Sequence, residues 1–296
     1  MSVPTLRIRD LALGFRGWAG TTEVLHGISL HVRQGERVAL VGESGSGKSV
    51  TARIVLGLLQ ENRSARVSGL VEFEGRDLSR LAARERAGLR GTRMSMIFQD
   101  PTSSLNPVYT IETQFREVLR RGEPGIGREE ARRRAEQALA DVAISEPGRV
   151  LSSYSFQLSG GMNQRVMIAM ALANEPSLLL ADEPGTALDV TVQAQTLRLM
   201  RRLVEQHNTS VLFISHNLGV VREFADRVYV IYKGRIVEHG MADDLFADPR
   251  HPYTRALLRA VPRITGGGIP EIEDVSEDYF APLVVHEGCE EPEEAK

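Results

Sequence analysis

The sequence predicts an α/β fold whose core is a sheet of buried parallel strands. Three short apolar runs end in polar residues, as strands do when their carboxyl ends carry chemistry: Ser95–Gln99, Leu178–Asp182 and Val211–His216. A fourth run, Arg37–Val41, leads through a glycine-rich loop into Ser49–Leu59, which has the apolar spacing of a helix. An alternation of strands with helical segments is typical of this fold class.

Two predicted hairpins lie on either side of these runs. Leu6–Phe15 and Val24–Val32 alternate apolar and polar residues around the turn-rich GWAGTT, which predicts an antiparallel lead-in sheet. Tyr229–Tyr232 and Arg235–His239 are joined by a Lys-Gly turn and predict a terminal hairpin. A helix is expected to follow at Ala242–Phe246.

The middle of the chain is predicted to be helical. From about residue 107 to residue 157 no buried strand is apparent, and Ile111–Arg121 and Arg128–Val142 have helical spacing and strong helix formers. We therefore expect a helical subdomain at about 107–175, inserted into a domain that spans residues 1–263.

The carboxyl-terminal tail, residues 264–296, differs in composition from the rest. It contains GGG, three prolines and many acidic residues, so we expect it to be poorly ordered or an added extension. Its Cys289 is the single cysteine of the chain, which permits no internal disulfide and no cysteine-ligated iron–sulfur cluster.

Composition and charge exclude several classes of protein. The 296 residues have a formal net charge of −3, whereas a protein that coats nucleic acid is expected to be strongly basic. The longest wholly apolar stretch, Val166–Ala173, is far shorter than the roughly 20 residues of a membrane-spanning helix. The first residues, MSVPTLRIRD, place charges where a signal peptide needs an apolar segment. We expect a cytoplasmic protein without a membrane span.

The loop GESGSGKS at Gly42–Ser49 fits the pattern G-x-x-x-x-G-K-[ST]. Its glycines allow backbone N–H groups to surround phosphate oxygens at a helix N-terminus. Lys48 would then reach the β- and γ-phosphates, and Ser49 would bind Mg²⁺. Alone, the loop could also be a simple turn.

Two carboxylates follow the predicted strand in LLLADEP. Asp182 would orient Mg²⁺ through water, and Glu183 would polarise or deprotonate the attacking water. An acidic pair at the end of a strand is often only a turn. Its place downstream of a phosphate loop favours hydrolysis.

A second glycine-rich helix start lies at Leu158–Met162, with the sequence LSGGM. Its backbone donors could also bind a phosphate. One chain rarely needs two glycine-rich helix starts to bind one nucleotide. The LSGGM segment is therefore predicted to bind a nucleotide held by another chain.

With these motifs in this order, Leu6–Gly240 resembles the ATP-binding-cassette (ABC) family, whose signature motif is LSGGQ. The resemblance implies a P-loop NTPase (RecA-like) core, an ATPase activity and the cofactors ATP and Mg²⁺. It implies that Gln99 in MIFQDP joins the metal and that His216 in ISHNL contacts the γ-phosphate, although an isolated histidine at a strand end would more often be a solvent-exposed residue. Asp189 in Ala187-Leu188-Asp189 would lie at a dimer seam.

The full set of residues assigned to ATP follows from these motifs. Within the chain it comprises Phe15, Gly42, Glu43, Ser44, Gly45, Ser46, Gly47, Lys48, Ser49, Val50, Gln99, Asp182, Glu183 and His216. From the opposite chain it comprises Ser159, Gly160, Gly161, Met162 and Asp189. Both Phe15 and Trp18 are candidates for stacking on adenine, and we favour Phe15. The guanine motif N-K-x-D is absent from the sequence.

Three further stretches resemble the oligopeptide/dipeptide/nickel import ATPases, in particular their D-type subunit: Gln99–Pro107, Gln164–Ala173 and His251–Leu258. The resemblance implies a non-identical F-type sister ATPase, two transmembrane permease subunits and an extracytoplasmic solute-binding protein as partners. The chain would then lie at the cytoplasmic face of the inner membrane.

Three residues depart from the pattern of that group: Asn163, where a basic or polar residue is usual, Gly185, which replaces a threonine, and Asn217. Asn217 replaces an acid that could orient His216. The cargo stays open among peptides, nickel, opines and oligosaccharides. The alternative is a soluble ABC ATPase that acts on ribosomes or DNA, but such proteins usually have two cassettes or a long inserted coiled coil.

Overall fold

A computed structural model describes residues 3–18, 20–59, 62–185, 189–260, 277–287 and 289. The chain divides into two compact units. The first unit is Met1–Arg80 with Leu212–Lys296, and the second is Leu81–Val211. The boundaries expected for the helical subdomain and the tail remain predictions.

The strands, in chain order, are β1 Leu6–Gly17, β2 Gly20–Val32, β3 Arg37–Val41, β4 Ala65–Phe73, β5 Arg76–Asp77, β6 Met94–Ile97, β7 Leu178–Asp182, β8 Ser210–Ser215, β9 Arg227–Tyr232, β10 Arg235–Met241 and β11 Val284–Val285. The α-helices are α1 Lys48–Val55, α2 Ala83–Leu89, α3 Pro101–Ser104, α4 Ile111–Gly122, α5 Arg128–Asp141, α6 Pro147–Ser152, α7 Gly160–Leu172, α8 Val190–Gln206, α9 Leu218–Phe224, α10 Ala242–Ala247 and α11 Pro252–Arg259. Short 3₁₀ turns lie at Ser155–Gln157 and Glu277–Phe280.

The antiparallel lead-in sheet of the first unit has the strand order β2-β1-β4-β5. Leu13 of β1 pairs with Leu25 on one side and with Val67 on the other. The predicted hairpin of β1 and β2 is confirmed, but β4 and β5 were not predicted. Most of β4 is exposed or half-buried, and only Val71 and Phe73 are buried, so the strand lacks a strong apolar signal.

The other strands of the first unit lie in the order β11-β10-β9-β3-β8. Strand β3 runs parallel to β9, and β9 pairs antiparallel with β10 as the predicted hairpin. Every residue of β3, β8 and β9 is buried. Continuous apolar runs are typical of parallel strands covered on both faces, which is why these strands were predictable.

Helix α1 is shorter than the predicted segment Ser49–Leu59. It ends near Gly57, which has a positive φ of 71°, and the amides of Gly57 and Leu58 donate to the carbonyls of Ile54 and Arg53. A glycine in this conformation commonly terminates a helix.

The second unit contains the parallel pair β6 and β7 together with α2 to α8. Met94 pairs with Leu178 and Ile97 with Ala181. The two predicted helices of this region correspond to α4 and α5, and their fully buried Phe115 and Leu139 belong to the core. Strand β6 ends two residues before Gln99, so this residue follows the carboxyl end of the strand.

Part of the tail pairs with a strand of the first unit. Val284 of β11 pairs with Glu238 of β10, and the side chains of Tyr279 and Cys289 are buried. Residues 264–276, 288 and 290–296 lie outside the described part, and both expectations for the tail remain predictions. Within the described ranges, no helix combines the length and apolar character that crossing a bilayer requires.

Candidate active site

The predicted phosphate loop connects β3 to the start of α1 in the first unit. Gly47 precedes the helix with a φ of 108°, which only glycine adopts easily. A Cβ atom at Gly47 would also come within 2.5 Å of the Leu25 side chain. The sequence therefore needs glycine here to turn the chain into a helix whose first N–H groups can bind an anion.

The ammonium group of Lys48 lies inside this loop. The residue is only 4% exposed, and its Nζ donates to the carbonyl oxygens of Gly42 at 2.7 Å and Glu43 at 2.6 Å. The Ser46 hydroxyl lies 3.5 Å from Nζ. A buried positive charge among backbone dipoles favours an anionic ligand such as phosphate.

The other loop residues divide into a buried base and an exposed rim. Gly42, Ser46 and Gly47 are buried, whereas Ser44 and Gly45 are exposed, and Glu43, Ser49 and Val50 are half-buried. The turn between β9 and β10 supports the base, because Gly234 donates its amide to the Ser46 carbonyl at 3.0 Å. The buried part of the loop is thus fixed by the neighbouring turn, whereas Ser44 and Gly45 remain exposed to solvent.

The second unit brings two of the predicted catalytic residues together. Asp182 is buried as the last residue of β7, and Glu183 follows it with a φ of 49°. The Gln99 side-chain amide donates to Glu183 Oε2 at 3.1 Å. A positive φ is uncommon for a residue other than glycine and concentrates at functional sites.

The predicted signature motif begins helix α7. Ser159 is the N-cap residue, and its hydroxyl accepts a hydrogen bond from the Met162 amide at 3.3 Å. Ser159 and Gly160 are exposed, while Gly161 and Met162 are half-buried. The start of this helix is therefore accessible in the second unit.

Asn163, one of the residues that depart from the family pattern, lies just inside α7. It is buried, and its side-chain amide donates to the Ser155 carbonyl at 3.0 Å. This contact fixes the 3₁₀ turn before the signature motif. A long basic side chain would not fit this buried position without rearrangement.

Two other predicted site residues lie at the ends of secondary structure. Asp189 is the exposed N-cap of α8, and its Oδ1 accepts from the Val192 amide at 3.0 Å. His216 directly follows β8 in the first unit and is exposed. Ala187 and Leu188, assigned to the same motif as Asp189, lie outside the described residues.

The remaining departures from the family pattern have local roles. Asn217 caps α9 through hydrogen bonds from the amides of Gly219 and Val220. Gly185 has a φ of 100°, which disfavours a β-branched residue such as threonine.

The two candidates for adenine stacking lie in the β1–β2 hairpin. Phe15 pairs with Thr22 and Ala65 and is half-buried, whereas Trp18 is exposed. The choice of Phe15 remains a prediction.

One contact at the phosphate loop was missed by sequence reasoning. The Glu43 amide donates to the hydroxyl of Tyr253 in α11 at 3.1 Å. The two residues are separated by 210 positions, so no local spacing could indicate their contact.

Comparison with known proteins agrees with this arrangement. A family model described as "ABC transporter" matches residues 25–186, and one described as "Oligopeptide/dipeptide transporter, C-terminal region" matches residues 237–290. A probable peptide ABC transporter ATP-binding protein of Sinorhizobium fredii is 49% identical over 96% of this chain and 84% of its own length.

Two further proteins extend the comparison. A peptidoglycan transport ATP-binding protein of Agrobacterium fabrum is 50% identical over 92% of this chain, which spans 49% of that longer protein. A solved ATP-binding cassette, a dimer in a post-hydrolysis state with ADP and Pi, has a TM-score of 0.71 and 28% identity. That match covers 80% of this chain and 98% of the cassette.

The ABC transporter model covers more than half of the chain, and the Sinorhizobium relative matches almost all of it. The chain therefore belongs to the ABC ATPases, among the ATP-binding subunits of oligopeptide/dipeptide transporters.

Proposed function

We propose that this chain is the ATP-hydrolysing subunit of an ABC importer for peptides or a related solute such as nickel, an opine or an oligosaccharide. The observation that carries the proposal is the buried Lys48 ammonium group within a glycine-rich loop at the start of a helix. The match to the oligopeptide/dipeptide C-terminal model and the name of the Sinorhizobium relative favour peptides as cargo.

The residues present fit ATP and Mg²⁺. The loop offers backbone donors and a lysine for phosphate, and Ser49 and Asp182 carry the oxygen ligands that Mg²⁺ prefers. Mg²⁺ commonly keeps several waters and takes few protein ligands. When bound, the metal would supply charge neutralisation at the phosphates.

Four residues of the chain would then contribute to hydrolysis. Lys48 offsets the negative charge that develops on the phosphate oxygens, and Glu183 accepts a proton from the attacking water. Gln99 holds the Glu183 carboxylate at 3.1 Å and limits its orientations. His216 steadies the γ-phosphate.

The working form is proposed to contain two such ATPases arranged head to tail. The accessible start of α7, with Ser159 to Met162, would face the nucleotide of the partner, and Asp189 would lie at the seam. The related cassette solved as a dimer with ADP and Pi supports a dimeric working form. A non-identical sister subunit is the proposed partner.

An exposed apolar cluster in the second unit is suited to contact a permease subunit. Val108, Tyr109 and Phe156 are 75%, 53% and 69% exposed. Thr110 bridges to Tyr154, and the rings of Tyr154 and Phe156 stack at 5.5 Å, so the two segments lie side by side. Clustered exposed apolar residues commonly mark a protein interface. The permease would hold the chain at the cytoplasmic face of the inner membrane.

The substitution Glu183→Gln tests the catalytic part. We expect ATP binding to persist and hydrolysis to fall by about 10²- to 10⁴-fold, as when a general base is removed. Glu175→Gln is the matched control, since Glu175 also has a positive φ, of 48°, but its side chain is exposed three residues after α7 ends. Hydrolysis by Glu183→Gln at the parent rate would exclude this role.

Co-purification from membranes tests the transporter part. Two permease subunits and a sister ATPase should accompany the tagged chain, and the solute found on the associated binding protein would identify the cargo. A stable complex with ribosomes or DNA in their place would favour the soluble alternative.

A further inference from the structure

Tyr253 connects the carboxyl-terminal region to the phosphate loop in the first unit. The residue is fully buried in α11, and its hydroxyl accepts the Glu43 amide at 3.1 Å. This residue belongs to the part of the chain matched by the C-terminal transporter model, which is separate from the part matched by the ABC model.

The contact acts on a single peptide group. The Glu43 N–H and the Gly42 carbonyl belong to the same planar peptide, so they point in opposite directions. Tyr253 holds the N–H end, and Lys48 Nζ donates to the carbonyl end at 2.7 Å. The orientation of this peptide, and with it the direction of the Gly42 carbonyl, is fixed from both sides.

Tyr253 is itself held firmly. Its ring packs on Tyr232 with 4.4 Å between centroids and on Tyr279 of the tail at 5.5 Å. Its amide donates to His251 Nδ1 at 3.2 Å, and His251 Nε2 lies 3.4 Å from the Ala281 carbonyl. Because Nδ1 is an acceptor, Nε2 carries the proton and donates to the tail. Burial raises the pKa of Tyr253, so its hydroxyl stays protonated across the physiological range.

We propose that Tyr253 is a positioning residue for ATP binding: it holds the Gly42–Glu43 peptide when the Lys48 ammonium group moves from the Gly42 carbonyl to phosphate. The carboxyl-terminal region thereby supports a nucleotide loop that lies far away in sequence. Without the Tyr253 hydroxyl the loop would have to be ordered during ATP binding, which weakens affinity. The chemical step would be little affected, because the hydroxyl touches no reacting atom.

The substitution Tyr253→Phe tests this, because it removes the hydroxyl and keeps the ring. The loss of one neutral hydrogen bond predicts a rise in the Kd and KM for Mg-ATP of roughly 2- to 12-fold. The kcat should stay within about twofold of the parent value, since transition-state contacts are retained. A purely structural role would not produce this division between KM and kcat.

Tyr232→Phe is the matched control. It removes a hydroxyl from the same aromatic cluster, and this hydroxyl makes no hydrogen bond to the phosphate loop among the described residues. Its ATP affinity should equal that of the parent. Equal ATP affinity for Tyr253→Phe, Tyr232→Phe and the parent would overturn the proposal.

Hydrogen exchange of the full chain without nucleotide gives a second readout. The peptide that covers residues 42–48 should exchange faster in Tyr253→Phe than in Tyr232→Phe. Unchanged exchange of that peptide would overturn the proposal even if ATP affinity fell. A parent chain that does not bind ATP would instead contradict the proposed function.

Discussion

The carboxylate of Glu238 is the central acceptor of the carboxyl-terminal region, and its removal is the most informative test of this packing. Glu238 lies in β10 and is 0% exposed. Its Oε1 accepts from the Arg250 amide and from His286 Nε2, both at 2.8 Å, and its Oε2 accepts from the His251 amide at 3.1 Å. One side chain therefore holds β10, the start of α11 and the tail.

The magnitude of the effect follows from these three bonds. Glu238→Ala leaves three donors without this acceptor, and each buried unsatisfied donor costs about 1–3 kcal/mol. Because the contacts at Arg250 are only partly buried, we expect a total loss of about 3–5 kcal/mol in the free energy of unfolding. His286→Ala removes one of the three contacts and should cost about 1–3 kcal/mol.

Urea unfolding of both variants and of the double variant measures these values. The double-mutant cycle should show a coupling energy of at least about 0.5 kcal/mol between Glu238 and His286. A loss below 1 kcal/mol for Glu238→Ala, or additive effects in the double variant, would refute the assignment of Glu238 as the shared acceptor.

Two further predictions concern single side chains. Burial lowers the pKa of His251, so the unfolded chain binds a proton more readily, and stability should be lost as pH falls below about 6.5. His251→Asn keeps a capping acceptor and should flatten this dependence in urea unfolding between pH 7.5 and 5.5; an unchanged slope would contradict it. Asn217→Asp should change stability by less than about 0.5 kcal/mol, since both residues cap helices well, and a larger loss would exclude a simple capping role.

The predictable part of the fold was the part with strong local signals. Strands β3, β7 and β8 are buried along their whole length and therefore appear as apolar runs between polar residues. Strand β4 was missed because Arg66, Ser68 and Glu72 interrupt its apolar residues, and much of it is exposed. Its place in the sheet depends on pairing with β1, a contact distant in sequence.

The candidate site likewise has a part that the sequence could predict and a part that depends on contacts between residues distant in sequence. The phosphate loop and the pair Asp182 and Glu183 could be predicted as candidates because their residues are adjacent in sequence. The bond from Gln99 to Glu183 joins residues 84 positions apart, and only family resemblance associated them beforehand. The Tyr253 contact could not be predicted, because the resemblance carried by His251–Leu258 indicated a branch of the family and no contact with the phosphate loop.

The departures from the family pattern show why a residue's local backbone has to be known before its role is assigned. Sequence reasoning linked position 217 to the orientation of His216, whereas the Asn217 side chain is engaged in capping α9. The residue at position 185 also has to be explained by its local backbone conformation. At a φ of 100°, threonine would add a backbone penalty of about 1–3 kcal/mol. Glycine avoids that penalty, so among residues 183–185 after β7 only Glu183 has a strained backbone.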